Sequence, residues 1–416
     1  MSMRYPAPVL LITALIAAVT IPFSPSGLPG LEAAPAGKAP AVPAEYADLY
    51  ATLDGRLKAI DGYISSRWNR QKHEVVFSAE LLTANSNQGE ALLREQAWQS
   101  VLLNLDRYQL LGVGAVKVAV TYPILIPAFP RSAEYLDFYK RLSQELKRRN
   151  LKFLAQMTAT FRELVFSSVP VAPYYAGLTH ERYRREKRQQ AEIIIRELRP
   201  DYLTVENEPQ TQAQNTGLTV NVQTFTDLVE YILNGLDRQG VLVGAGTGTW
   251  DDLAYTQALA RTSVDYIDMH IYPVTGDFVI DKAFRIAEIT RRAGKRLVVG
   301  EAWLYKARER ELGGPAVASA PGLFARDVYS FWESLDIRFL TSMVKLAHYT
   351  KADFVSFFWA RHFFGYVDYS DATRRLPPAE LFRLANGAAA RNMQANPPQL
   401  TRTGQTLYTL ITKGSD

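Results

Sequence analysis

Eight short apolar segments, each followed by a stretch with helical spacing, constrain this chain more than any other feature. They are VVFSAELL (75–82), AVKVAVTY (115–122), KFLAQMTA (152–159), DYLTVE (201–206), VLVGAG (241–246), VDYIDMHIY (264–272), RLVVGEAW (296–303) and DFVSFFWA (353–360). These are strand lengths, and the runs are apolar on both faces, as parallel strands covered on both sides must be. Helical stretches fill the gaps. Ser132 and Thr179 stand where N-caps belong, and Gly294 where a helix stops. Eight consecutive βα units in about 340 residues predict a (β/α)8 TIM barrel, an α/β fold. An open, doubly wound sheet is the alternative. The unbroken run of units, with no sign of a second domain, favours closure. A further helix is expected over about 44–70, where Tyr46, Leu49, Leu53, Leu57 and Ile60 recur at three- and four-residue spacing.

The N-terminus differs in kind. Arg4 precedes PVLLITALIAAVTI (8–21), an apolar run of signal-peptide length, and a segment rich in Pro, Gly and Ala follows. Residues 1–30 are expected to be an export signal and 31–43 a flexible linker, leaving 44–416 as the barrel domain. The product would be secreted or periplasmic. An uncleaved membrane anchor is the other reading, although the run is shorter than the roughly 20 residues that span a bilayer comfortably. Lys plus Arg exceed Asp plus Glu by 47 − 42 = 5, too few to argue for a nucleic-acid partner. The absence of cysteine excludes disulfides, thiolate metal sites and thiol nucleophiles.

In a barrel of this kind, chemistry is built at the C-terminal strand ends. Those ends carry Glu80 and Asn85, Tyr122, Gln156 and Thr158, Asn207 and Glu208, Thr247 and Trp250, His270 and Tyr272, Glu301 and Trp303, and Trp359 with Arg361 and His362. Acids sit on the fourth and seventh strands, with aromatics beside them. Flat aromatic faces match the C–H faces of sugar rings.

The motifs VENEP, DMHIYP, VVGEAW and SFFWA resemble the fourth-, sixth-, seventh- and eighth-strand motifs of the clan A retaining glycoside hydrolases, which include cellulases, mannanases and endo-β-1,4-galactanases. The resemblance covers residues 72–360. It implies a carbohydrate substrate, no cofactor and no metal. It implies Glu208 as general acid/base, Glu301 as nucleophile, and Asn207 as the amide that bonds a sugar 2-hydroxyl. Tyr272 would bond the nucleophile, with His270 in the same cluster. Trp359 would lie under the sugar at the cleavage point, and Trp303 would belong to the binding site. The chain departs from the pattern in lacking an Arg at the end of the second strand and a His on the third; Tyr122 and Gln156 occupy that region.

Other features have plainer readings. Glu206 is expected to turn away from Glu208 into a salt bridge. ERYRREKRQQ (181–190) is expected on the solvated face of a helix. GAGTG (244–248) lacks the spacing of a dinucleotide loop. The five histidines show no metal-ligand spacing. The expectation is therefore a monomeric, exported glycosidase acting on a β-linked polymer or oligomer. A barrel that binds carbohydrate without turnover and a metal-dependent hydrolase are the rivals. Specificity is expected from irregular loops at 160–178, 210–220 and 304–322.

Overall fold

All eight expected strands form, and they close on one another. The computed structural model describes residues 32–33, 40–162, 169–273, 279–308, 311 and 321–413. The strands are β1 Val76–Glu80, β2 Ala115–Ala119, β3 Lys152–Gln156, β4 Tyr202–Thr204, β5 Leu242–Gly248, β6 Tyr266–Ile271, β7 Arg296–Ala302 and β8 Phe354–Phe357. Each pairs in parallel with the next, and β8 pairs with β1, so no sheet edge remains. The expected export signal, and linker residues 31 and 34–39, lie outside the described residues. Within the expected linker, Glu32 and Ala33 pair in parallel with Gln399 and Leu400. No helix among the described residues is long and apolar enough to cross a membrane.

Side chains on a strand alternate between faces, and the barrel interior is layered accordingly. Its floor takes one residue from every strand: Val76, Ala115, Leu154, Tyr202, Leu242, Tyr266, Val298 and Phe354 form a cluster separate from the helix-packed core. Two residues further along the strands the same face turns polar, with Ser78, Lys117, Gln156, Thr204, Asp268 and Ser356, all buried. The glycines of GAGTG find their reason here. Gly244 pairs with Tyr266 across β5 and β6, and a Cβ at Gly244 would overlap the Tyr266 ring.

β7 holds an extra residue. Against β6 the register runs Asp268↔Val298 and then His270↔Glu301; against β8 it runs Val299↔Val355 and then Ala302↔Phe357. Three residues of β7 thus span two on either neighbour, which is a β-bulge. Gly300 lies at its centre. Its N–H donates to Asp268 Oδ1 at 2.9 Å, and a Cβ there would collide with the Asp268 carboxylate.

Helix Ala47–Ser65 buries Leu49, Leu53, Leu57, Ile60 and Ile64 and packs on helix Glu333–Thr350. The helix that carries ERYRREKRQQ spans His180–Ile193, capped by the Thr179 side chain. It corrects the expectation of a wholly solvated basic face. Tyr183, Lys187 and Gln190 turn inward and are buried. Lys187 Nζ lies 3.0 Å from Glu206 Oε2. The Tyr183 hydroxyl donates to the same oxygen at 2.7 Å, and Asn207 N–H donates to Oε1 at 3.2 Å. The loop expected at 210–220 is likewise part helix, Pro209–Thr216.

Glu206 therefore faces the barrel wall, as expected, with Lys187 as its partner. Burial raises the Glu206 carboxyl and lowers the Lys187 ammonium from their ordinary values, so each ion depends on the other. Lys187→Met should cost about 3–5 kcal/mol of stability in urea unfolding, the usual result of stripping one partner from a buried pair. Adding Glu206→Gln should recover much of that. A loss below about 1 kcal/mol would show that the pair does not hold β4 against its helix.

Candidate active site

β4 ends at Thr204, and the chain then presents Glu206 to the wall and Glu208 to the barrel mouth. Glu208 adopts a left-handed backbone, φ 48° and ψ 70°. That conformation costs a non-glycine residue of the order of 1–3 kcal/mol and persists only where its surroundings hold it. They do so here. The Thr211 hydroxyl donates to Glu208 Oε2 at 2.7 Å, and His270 Nδ1 lies 2.6 Å from Oε1.

His270 comes from β6, directly beside Glu301 in the register. Its Nδ1 is also 3.6 Å from Glu301 Oε2. One ligand-type atom from each of Glu208, His270 and Glu301 falls within 4.8 Å of the others. The Tyr272 hydroxyl donates to Glu301 Oε2 at 2.7 Å. Burial and the Glu301 carboxylate raise the Tyr272 hydroxyl well above its ordinary value, so it stays a donor.

The residue that sequence reasoning missed is Lys117. It projects from the middle of β2 into the polar layer, buried, and donates to Glu301 Oε1. Its ammonium is also 2.8 Å from Glu80 Oε2 on β1. The Glu80 oxygens make no well-directed hydrogen bond among the described residues, so this is proximity rather than a directed bond. The cation expected, and not found, at the end of the second strand is thus supplied from lower in it. The signal was present: a lysine inside the apolar strand AVKVAVTY cannot be buried without an acid to meet it. Tyr122 has no part in this, because its hydroxyl donates to Glu186 at 2.6 Å.

The charges follow. Burial raises Glu301, but His270, Lys117 and the bonds from Lys117 and Tyr272 outweigh it and hold the carboxyl below its ordinary range. Burial lowers His270, yet Glu301, Asp268 and the bonds to Asp268 and Glu208 raise the ring well above its ordinary value.

Glu208, Tyr272 and Glu301 line a narrow cleft with about 40 Å³ of free volume, below the roughly 300–1,000 Å³ of most ligand pockets. Asn85, Asn87, Gln156, Thr158 and Asn207 supply amides and a hydroxyl to its wall, and Phe161, Tyr305 and Phe358 supply flat faces. Tyr305 stacks on Tyr272 at 5.0 Å. The two tryptophans expected in the binding site are corrections. Trp303 is fully buried. It packs on His362 and Phe363 and donates its indole N–H to Asp327 at 3.2 Å. Trp359 does not line the cleft either. Alternation along β8 puts Phe354, Ser356 and Phe358 inward and Trp359 outward, where the Arg361 guanidinium lies 4.2 Å from its ring centroid. Phe358, not Trp359, lines the cleft.

No family model matches the chain, and no curated protein matches it. Among solved structures it is similar to a β-glucosidase from Thermotoga maritima, at 10% identity over 84% of this chain and 99% of that one, with a TM-score of 0.49. It is similar to the GH53 catalytic domain of Ignisphaera aggregans, at 15% identity over 76% and 98%, TM-score 0.45. A GH26 β-mannanase from Bacteroides ovatus matches at 11% identity over 82% and 93%, TM-score 0.43. The functional reading rests on the site itself.

A doubly protonated His270 has a structural consequence. Asn207 Nδ2 stands 2.8 Å from His270 Nε2, and Asn207 Oδ1 has no partner among the described residues. Two donors cannot share one bond. Exchanging the amide's oxygen and nitrogen gives the ring an acceptor. In ¹⁵N NMR, His270 should show both ring nitrogens protonated at neutral pH and remain so above the ordinary histidine range. A neutral-imidazole pattern at about pH 7 would overturn this charge assignment.

Proposed function

We propose that this chain is a retaining glycoside hydrolase that cleaves β-linked poly- or oligosaccharide. The observation that carries the reading is the pair of glutamates, one four residues past β4 and one on β7, each with a carboxylate oxygen within 4.8 Å of the other's and both lining one cleft. Retaining enzymes hold their two carboxyl groups roughly 5–5.5 Å apart, whereas inverting enzymes leave roughly 6.5–9.5 Å for a water. The β-linkage follows from the resemblance of the strand-end motifs.

In this reading Glu301, kept anionic by Lys117, Tyr272 and His270, attacks the anomeric carbon. The bond to the leaving oxygen breaks as Glu208 gives that oxygen a proton. A water then attacks the same carbon from the vacated side, Glu208 takes its proton, and Glu301 is released. His270 Nδ1, 2.6 Å from Glu208 Oε1, is placed to pass its proton to Glu208. Asn207 offers its amide to the sugar, and the faces of Phe161, Tyr305 and Phe358 suit its C–H surfaces.

The rival of a binding barrel without turnover drew its support from a missing cation beside the nucleophile, and Lys117 supplies one. The metal-dependent rival would use Glu208, His270 and Glu301. The donors already on Glu301, together with a protonated His270, oppose it, and activity that survives exhaustive chelation would count against it directly. We infer export from Arg4 and the apolar run after it; intact N-termini recovered in a membrane fraction would favour an anchor.

The test is a hydrolysis screen over galactan, mannan, glucan and xylan, with product sizing. On the substrate found, Glu301→Ala should abolish turnover. Glu208→Ala should impair poor leaving groups most, and azide should restore it on an activated aryl glycoside, giving a product of retained configuration. A Glu301→Ala enzyme with undiminished turnover would sink the assignment. The pH profile supplies a second check. Glu301 is held below the ordinary carboxylate range, so kcat/KM should persist into acid. Lys117→Met removes a group that lowers it, and the acid limb should move upward by about 1–3 units. An unmoved limb would show that Lys117 does not tune Glu301.

A further inference from the structure

Glu80 has no task in the two-carboxylate chemistry, yet it is fully buried and faces it. Four groups surround it. Lys117 comes from β2, Glu301 from β7 and His270 from β6. Tyr108, from helix Glu95–Leu110, donates its hydroxyl to the Glu80 carbonyl oxygen at 3.0 Å. One ammonium thus stands between two carboxylates, bonded to Glu301 and 2.8 Å from Glu80.

The reaction proposed above changes the charge on one side of that ammonium. When a Glu301 oxygen bonds to the anomeric carbon, the carboxylate becomes an ester and loses its charge. The electron pair of the broken glycosidic bond leaves with the departing oxygen. Lys117 would then be a buried cation facing a neutral group, which is strongly unfavourable unless another anion takes it up. We propose that Glu80 is the counter-ion of Lys117 in the covalent intermediate, a positioning residue that receives the ammonium when Glu301 is esterified and yields it when the ester is hydrolysed. The inference rests on the retaining reading. Its proton balance closes. A protonated Glu80 releases one proton to water as the ester forms and takes one back as the ester is cleaved.

The direction of titration agrees. Burial and the charge of Glu301 push Glu80 up to about 7, against the opposing effect of Lys117. Esterification removes the Glu301 charge and leaves Lys117, so the Glu80 carboxyl must fall. Below about pH 7, then, Glu80 is protonated in the resting enzyme and ionised in the intermediate, and forming the intermediate releases a proton. Well above that pH it is ionised in both states and releases none.

The test treats the full-length protein with 2,4-dinitrophenyl 2-deoxy-2-fluoro-β-glycosides of glucose, galactose, mannose and xylose. Their leaving group needs no acid, and the fluorine slows hydrolysis of the adduct. Mass spectrometry locates the adduct, and an indicator dye in weak buffer counts protons at about pH 6 and about pH 9. The expected result is an adduct on Glu301. At the lower pH the wild type should release up to one more proton than Glu80→Gln, with no difference at the higher pH. Adduct formation should be about 100-fold slower in Glu80→Gln. An adduct that forms with equal proton release and equal rate in both proteins would overturn the role of Glu80 and leave the glycosidase reading intact. The lack of an adduct with every sugar would overturn both. If Glu80→Gln does not fold, the wild type decides alone: its proton release must fall away between the two pH values, and a flat profile overturns the inference. A structural role for Glu80 would change unfolding but not this proton count.

Discussion

An extra residue in β7, accommodated where Gly300 meets Asp268, sets the direction in which Glu301 points. Strict alternation from Val298, which faces the barrel floor, would turn Gly300 and Ala302 inward and Glu301 outward. The bulge reverses that parity for one residue and places Glu301 opposite His270. Asp268 holds the bulge through the Gly300 N–H, and it is itself fixed by the Thr204 hydroxyl at 2.8 Å. The aim of one carboxylate thus depends on groups from β4, β6 and β7 together. Any side chain at position 300 would break the arrangement.

The second organising feature is a shared field of charge. Lys117, His270, Glu80 and Glu301 are buried on four different strands, and none could be charged there alone. Together they form a network in which each charge is stabilised by its neighbours. Its value for chemistry lies in what burial does to electrostatics: the same charges act far more strongly in a dry barrel than in water. The neighbouring Glu206–Lys187 pair shows a purely structural use of the same device, because it ties β4 to the helix outside it and leaves Glu208 free to face the cleft.

Aromatic side chains divide by the same geometry. Phe358 lines the cleft, whereas Trp359 packs behind it under Arg361. The larger ring is the more obvious candidate for a sugar platform in a linear reading, but parity along β8 decides against it. Counting alternate positions from the floor residue Phe354 would have found Phe358. Trp303 is lost for a different reason. Past the end of β7 the chain dives toward Asp327 and His362, and the indole follows it into the core.

Some of this was legible in the order of residues. The eight strands and their closure follow from local periodicity and repetition, which a linear pattern carries in full. Glu208 and Glu301 were visible as acids at two strand ends, and the ends of parallel barrel strands meet at one mouth; Tyr272 beside Glu301 was implied only by the resemblance of the strand-end motifs. Tertiary structure alone decided which residues share a face across the barrel. Lys117 was visible as an odd residue in an apolar strand, but its partners lie 37 positions before it, at Glu80, and 184 after it, at Glu301. The bulge at Gly300, the inward turn of Lys187 and the exchange of Trp359 for Phe358 each depend on register between strands or on the rotation of a helix against them. Those quantities are set by packing between segments remote in sequence, and no single segment contains them.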